Sequence, residues 1–82
     1  LITREEMAVI IAKAYAFRGG KAAAGSIGKF ADIADISDWA RSYVDTVTSA
    51  GLISGMPDGT FAPHENTTRA QAASVIKRLL EK

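Results

Sequence analysis

Two helix starts with the same wording, 65 positions apart, constrain this chain more than any other feature. Thr3-Arg4-Glu5-Glu6 and Thr68-Arg69-Ala70-Gln71 both read Thr-x-x-Glu/Gln. In this capping box the Thr hydroxyl accepts a first-turn backbone N–H, and the side chain three residues on reaches back to the Thr N–H. Each start leads into apolar residues of helical period: Met7, Ile10, Ile11 and Ala14, then Ala72, Val75, Ile76 and Leu79. In one register Thr3 matches Thr68, Arg4 matches Arg69, Ala8 matches Ala73 and Ile11 matches Ile76, while Lys13 matches Arg78 in charge. The spacing predicts one helix over 4–17, ended by Gly19-Gly20, and another over about 69–81. We read an internal repeat with a truncated first copy. Because Leu1 stands directly at a helix start, the expectation is a piece of a longer protein.

Between these helices the signal changes twice. Arg18 to Lys29 holds four of the seven glycines and little to bury, so it is expected to be a flexible connector. Phe30-Ala31-Asp32-Ile33 restarts the apolar pattern, and Asp35, Ser37 and Asp38 offer N-caps ahead of Trp39. Ala40, Tyr43, Val44 and Val47 then give a second amphipathic helix over about 38–50, with Gly51 as its stop. Pro57-Asp58-Gly59 is a turn, since Pro pre-sets one dihedral and Gly accepts positive φ. Phe61 directly after it is expected to anchor the loop in the core.

Composition removes several classes of function. At 82 residues the prior is one domain, burying roughly 60–65% of its unfolded surface. A hydrophobic content of 48% excludes a disordered tail, and a net charge of +1 disfavours a general nucleic-acid binder. A helix-turn-helix fails as well, because about 17 residues separate the second and third helices where three or four are needed. With no cysteine there is neither a disulfide nor a thiolate metal site, and no apolar run approaches a membrane span. Asp32, Asp35 and Asp38 recur every third residue, which is not the alternate spacing of a calcium loop, so no metal is expected. His64, the single histidine, has no nucleophile or paired-carboxylate pattern around it and reads as a solvated loop residue. Neither a catalytic residue nor a cofactor is expected, and the chain is not read as an enzyme.

Taken in order, Phe30-x-Asp32, Trp39-Ala40, Gly51-Leu52-Ile53-x-Gly55, Asp58-Gly59-Thr60-Phe61-x-Pro63 and Thr68-Arg69-Ala70 resemble the S-layer homology (SLH) module of bacterial cell-surface proteins. The resemblance runs from Phe30 to Leu80 as one whole repeat, and Leu1–Phe17 resembles the closing helix of a preceding one. It implies the following division: 1–17, closing helix of a preceding repeat; 18–29, Gly/Ala-rich connector; 30–82, complete repeat. The implied fold is all-α, three main helices with a long turn-rich loop, in a tandem array. The implied function is non-catalytic binding of a secondary cell-wall polysaccharide attached to peptidoglycan, often pyruvylated, which would hold a surface-layer protein outside the cell. The Ile that commonly precedes the Thr of the helix start is present as Ile2 and replaced by Thr67.

Under that resemblance Arg4 and Arg69 are the sharpest ligand candidates. A guanidinium matches a carboxylate with two parallel N–H bonds, and a pyruvate ketal puts such a carboxylate on a sugar. The alternative is that each Arg pairs locally with an acid and stabilises the interface between repeats. Asp58, Gly59 and Thr60 could meet sugar hydroxyls, or form a turn that only pins Phe61. Trp39 could stack on a sugar face, although its place on an amphipathic helix favours the core. Thr3, Thr68, Phe30, Asp32 and Phe61 are read as structural, with Asp32 a cap or turn residue. The alternative function is a structural module that packs against neighbouring repeats or associates with itself.

Overall fold

In the computed structural model, described for residues 2–21, 25 and 27–81, three α-helices surround a loop-rich core. Helix α1 spans Arg4–Phe17, α2 Asp38–Ser49 and α3 Arg69–Leu80, with single 3-10 turns at Ile27–Lys29 and Ile33–Asp35. Both capping boxes form. Thr3 Oγ1 accepts the Glu6 N–H and Glu6 Oε1 accepts the Thr3 N–H; Thr68 and Gln71 repeat the arrangement.

The end of α2 follows from Gly51, whose φ of 76° is left-handed. Its N–H reaches Thr48 O and the Leu52 N–H reaches Val47 O, a Schellman pair that drops Leu52 into the core. Helix α1 packs mainly on α2, so Met7, Ala8, Ile11 and Ala12 share one core with Ala40, Val44, Val47, Leu52 and Phe61. Helix α3 joins this core through buried Val75 and Leu79, with Ala72 packed against it. The turn-containing segment 62–67 lies along the start of α1. Arg4 N–H donates to Glu65 O, Glu5 N–H to Pro63 O, and Thr67 N–H to Ile2 O, with an antiparallel bridge between Thr3 and Asn66.

Three expectations change here. Trp39 is 57% exposed on the first turn of α2, not in the core; Ala40 takes the inward position beside it. The connector over 18–29 is tied down in its described part: Gly25 N–H and Ile27 N–H both donate to the Asp45 carboxylate, at 3.2 Å each. Its residues 22–24 and 26 lie outside the described residues. Ser37 stands at the N-cap of α2 without capping it, because its hydroxyl and N–H both donate to Glu5, at 2.8 and 2.9 Å.

Thr67 carries a visible cost of its departure from Ile. Among the described residues, its Oγ1 is a buried side-chain oxygen without a hydrogen-bond partner. Thr67→Val keeps the shape and removes the unsatisfied hydroxyl, so it is expected to stabilise the chain by about 1 kcal/mol. A urea titration followed by far-UV circular dichroism would show the midpoint rising.

Candidate functional site

Helix α1 brings Arg4 inward at its first turn, where the side chain is 7% exposed. Its Nε donates to Phe61 O at 2.8 Å, and one terminal nitrogen donates to Ser54 O at 2.9 Å. The guanidinium carbon lies 5.0 Å from the centroid of the Phe61 ring, within cation–π range. Burial pushes its pKa below the ordinary arginine range, while Glu65 and Asp32 act in the opposite direction. Arginine keeps its charge at neutral pH regardless. Two of five N–H donors are thus engaged by carbonyls, and no acid pairs with Arg4 at salt-bridge distance among the described residues.

The loop that Arg4 grips is built from its far side by Asp32. That carboxylate accepts the Phe61 N–H at 2.8 Å and the Ala62 N–H at 2.9 Å, across 29 and 30 positions. Asp32 thus organises a distant turn; it stands at the N-cap of the Ile33–Asp35 turn without a side-chain bond to it. Phe61 is fully buried and meets Phe30 edge-on at 5.4 Å. Asp58 closes its own turn by accepting from the Thr60 N–H and hydroxyl, at 3.0 and 2.6 Å. Those bonds hold its carboxyl below the usual carboxylate range, as the bonds from Thr3 do for Glu6.

Between the start of α3 and the Ile53–Met56 stretch lies a groove of about 280 Å³. Arg4, Ser54, Met56, Gln71, Ser74 and Arg78 are among its lining residues. Two guanidinium groups, an amide and two hydroxyls on one concave surface suit an anionic, hydroxyl-rich ligand. Of the candidates read from sequence, the structure brings only Arg4 to this groove. Arg69 is exposed beyond its edge, and Asp58, Gly59, Thr60 and Trp39 are outside its lining. Gln71, Ser74 and Arg78 were not singled out by the sequence as ligand residues. Their signal is positional: they recur at i, i+3 and i+7, a polar stripe along one face of α3.

Gly55, in the groove lining, leaves room for the Phe30 ring and the Thr60 carbonyl behind it. A Cβ there would stand 2.4 Å from Phe30 Cε1 and 2.8 Å from Thr60 O, one of them backbone. Gly55→Ala is expected to cost about 1–3 kcal/mol through overpacking. It would also displace Phe30, which thermal unfolding and the aromatic proton spectrum would both report.

Glu5 is a structural residue that no sequence pattern marks. It is buried, with one oxygen on each Ser37 donor, and His64 Nδ1 stands 3.8 Å from its Oε2. His64 is exposed, as expected of a solvated loop residue, yet it is also tethered: its Nε2 is 2.8 Å from Asp35 O.

The S-layer homology domain model matches residues 29–73. The chain is 45% identical over 83 residues to an amylopullulanase of Thermoanaerobacterium thermosulfurigenes, a match spanning 99% of this chain and 4% of that protein. It is 43% identical over 81 residues to a cellulosome-anchoring protein of Acetivibrio thermocellus, spanning 99% of this chain and 18% of the relative. With outer membrane protein SlpA of Thermus thermophilus it shares 44% identity over 55 residues, 67% of this chain and 6% of the other. The chain thus spans a small fraction of each of these relatives. No solved structure matches it. A family match over more than half of the chain, across the segment that holds Asp32 and Phe61, shows that the chain belongs to the S-layer homology domain family.

Proposed function

We propose that this chain is a non-catalytic cell-surface anchoring module, and that it holds a secondary cell-wall polysaccharide in the groove between α3 and Ile53–Met56. Its place is outside the cell, at the wall or surface layer, as the cellulosome-anchoring and outer-membrane relatives suggest by their names. The observation that carries the reading is the groove lining: Arg4 at the base and Arg78 on the wall, with Gln71 and Ser74 between them in sequence. Arg4 has donors left after its two carbonyl bonds, and Arg78 offers a second planar fork to a sugar carboxylate such as a pyruvate ketal. Trp39 and the Asp58-Gly59-Thr60 turn are exposed or half-exposed, and supply further sugar contacts only for a chain that extends past the groove.

Cosedimentation with purified cell-wall sacculi tests this. The native chain should pellet with sacculi and stay in solution when the secondary polymer is stripped. Arg78→Ala, at an exposed position on α3, should weaken pelleting about tenfold while leaving the melting temperature in place. Pelleting indifferent to both the polymer and Arg78 would sink the reading.

A further inference from the structure

Glu5 is a buried carboxylate that the groove does not use. It is 3% exposed, and its Oε1 accepts the Ser37 N–H at 2.9 Å while its Oε2 accepts the Ser37 hydroxyl at 2.8 Å. Those bonds occupy two of about four lone-pair positions on the carboxylate. Among the described residues, the one basic side chain within salt-bridge distance is His64, whose Nδ1 lies 3.8 Å from Oε2. The far side of the ring fixes what that nitrogen presents. His64 Nε2 lies 2.8 Å from Asp35 O, and a carbonyl only accepts, so Nε2 carries the ring proton. In the neutral ring Nδ1 therefore turns a lone pair toward a carboxylate oxygen. Two acceptors held face to face repel each other unless a cation lies between them.

We propose that Glu5 Oε2 and His64 Nδ1 form a binding site for a divalent metal ion of the zinc type. An imidazole nitrogen beside a carboxylate suits zinc, copper and nickel, whereas magnesium and calcium favour six or more oxygen ligands. Zinc bonds to such atoms are about 2.0–2.2 Å long, so two ligands in a tetrahedral array stand about 3.4 Å apart. The 3.8 Å separation closes to that value by a small rotation of His64, whose side chain is 63% exposed. Both ligands are already held from behind, the ring by Asp35 O and the carboxylate by Ser37. Outer bonds of this kind orient metal-binding histidines and carboxylates. No three His, Cys, Asp or Glu side chains converge on one point among the described residues. Water therefore completes the coordination from the exposed side.

The site joins parts of the chain that are distant in sequence. Glu5 lies in the first turn of α1 and His64 in the segment that runs along it, while Asp35 and Ser37 lead into α2. A bound metal would cross-link α1 to that segment in a chain with no cysteine. The second copy of the helix start has Ala70 in the place of Glu5, so α3 carries no such site.

Thermal unfolding of the chelator-stripped chain, followed by far-UV circular dichroism, tests this. Saturating zinc should raise the melting temperature by about 4 °C or more, and the same concentration of magnesium should leave it in place. His64→Ala, at an exposed position, should remove the zinc effect, and Glu5→Gln should weaken zinc binding about tenfold or more. Ring-nitrogen NMR spectra of the isotope-labelled native chain give a readout that no variant's folding affects: zinc should shift Nδ1 and leave Nε2 protonated. Metal on Nε2 would mark an isolated surface histidine and overturn the proposal. So would an unchanged melting temperature, an equal rise with magnesium, or a rise that persists in His64→Ala. Stabilisation by mild acid with none by zinc would assign the gap to a proton and overturn it as well. Since no wall polymer enters the experiment, its outcome is independent of glycan binding.

Discussion

Arg4→Ala is expected to destabilise the chain by about 3 kcal/mol, whereas Arg69→Ala in the same chain should change stability by less than about 0.5 kcal/mol. The two residues occupy the same place in the same motif, so the contrast comes from surroundings alone. Removing Arg4 leaves Phe61 O without its charged donor in a buried setting, at about 1–3 kcal/mol, and takes a second bond from the part-buried Ser54 O. It also strips the guanidinium plane from the Phe61 ring and the alkyl stem from the core edge. A domain of this length holds about 4–12 kcal/mol in total, so the loss is a large share of it. Arg4→Lys restores charge but not the planar fork that spans two carbonyls, and should recover less than half. Urea titrations of the three variants, read at constant m-value, would show the order native and Arg69→Ala together, then Arg4→Lys, then Arg4→Ala.

That asymmetry marks where the sequence was informative. Helix ends are local events, so Thr3 with Glu6, Thr68 with Gln71, and Gly51 after Ser49 could be read directly, and all three formed as expected. The anchoring of Phe61 was legible for the same reason: a single aromatic follows a Pro-Asp-Gly turn. The partners of Arg4 were not legible, because Ser54 O and Phe61 O are 50 and 57 positions away and backbone carbonyls carry no residue-type signal. Glu5 was hidden for a related reason. A carboxylate in the first turn is favourable for the helix dipole anywhere, so nothing local announces that this one is buried on Ser37. Trp39 is exposed although its hydrophobicity points to the core. The helical phase of Ala40, Val44 and Val47 already assigned the inward stripe to its neighbours. The groove itself depended on how α3 leans over Ile53–Met56, and only its polar stripe of Gln71, Ser74 and Arg78 was present in the sequence.

Asp32→Ala is the second large effect expected, about 3 kcal/mol, and its context makes the value informative. One carboxylate oxygen accepts the Phe61 N–H and the other the Ala62 N–H. The second bond holds Ala62 at φ 57°, a left-handed conformation that an L-residue with a Cβ resists by roughly 1–2 kcal/mol. Asp32→Asn keeps one acceptor oxygen and should lose about half as much. Adding Ala62→Gly to Asp32→Ala should return about 1 kcal/mol, since glycine adopts that φ without the carboxylate's help. The decisive experiment pairs Asp32 with Arg4. Asp32 holds the N–H of Phe61 and Arg4 its C=O, so one residue is fixed from both sides of its own backbone. Once either hold is gone the loop can move, and the other hold then stabilises little that remains fixed. The double variant Asp32→Ala/Arg4→Ala should therefore fall short of the sum of the single losses by about 1 kcal/mol or more in a double-mutant cycle. Strict additivity would mean that the loop keeps its shape without either, and that Phe61 is positioned by packing against Phe30 alone.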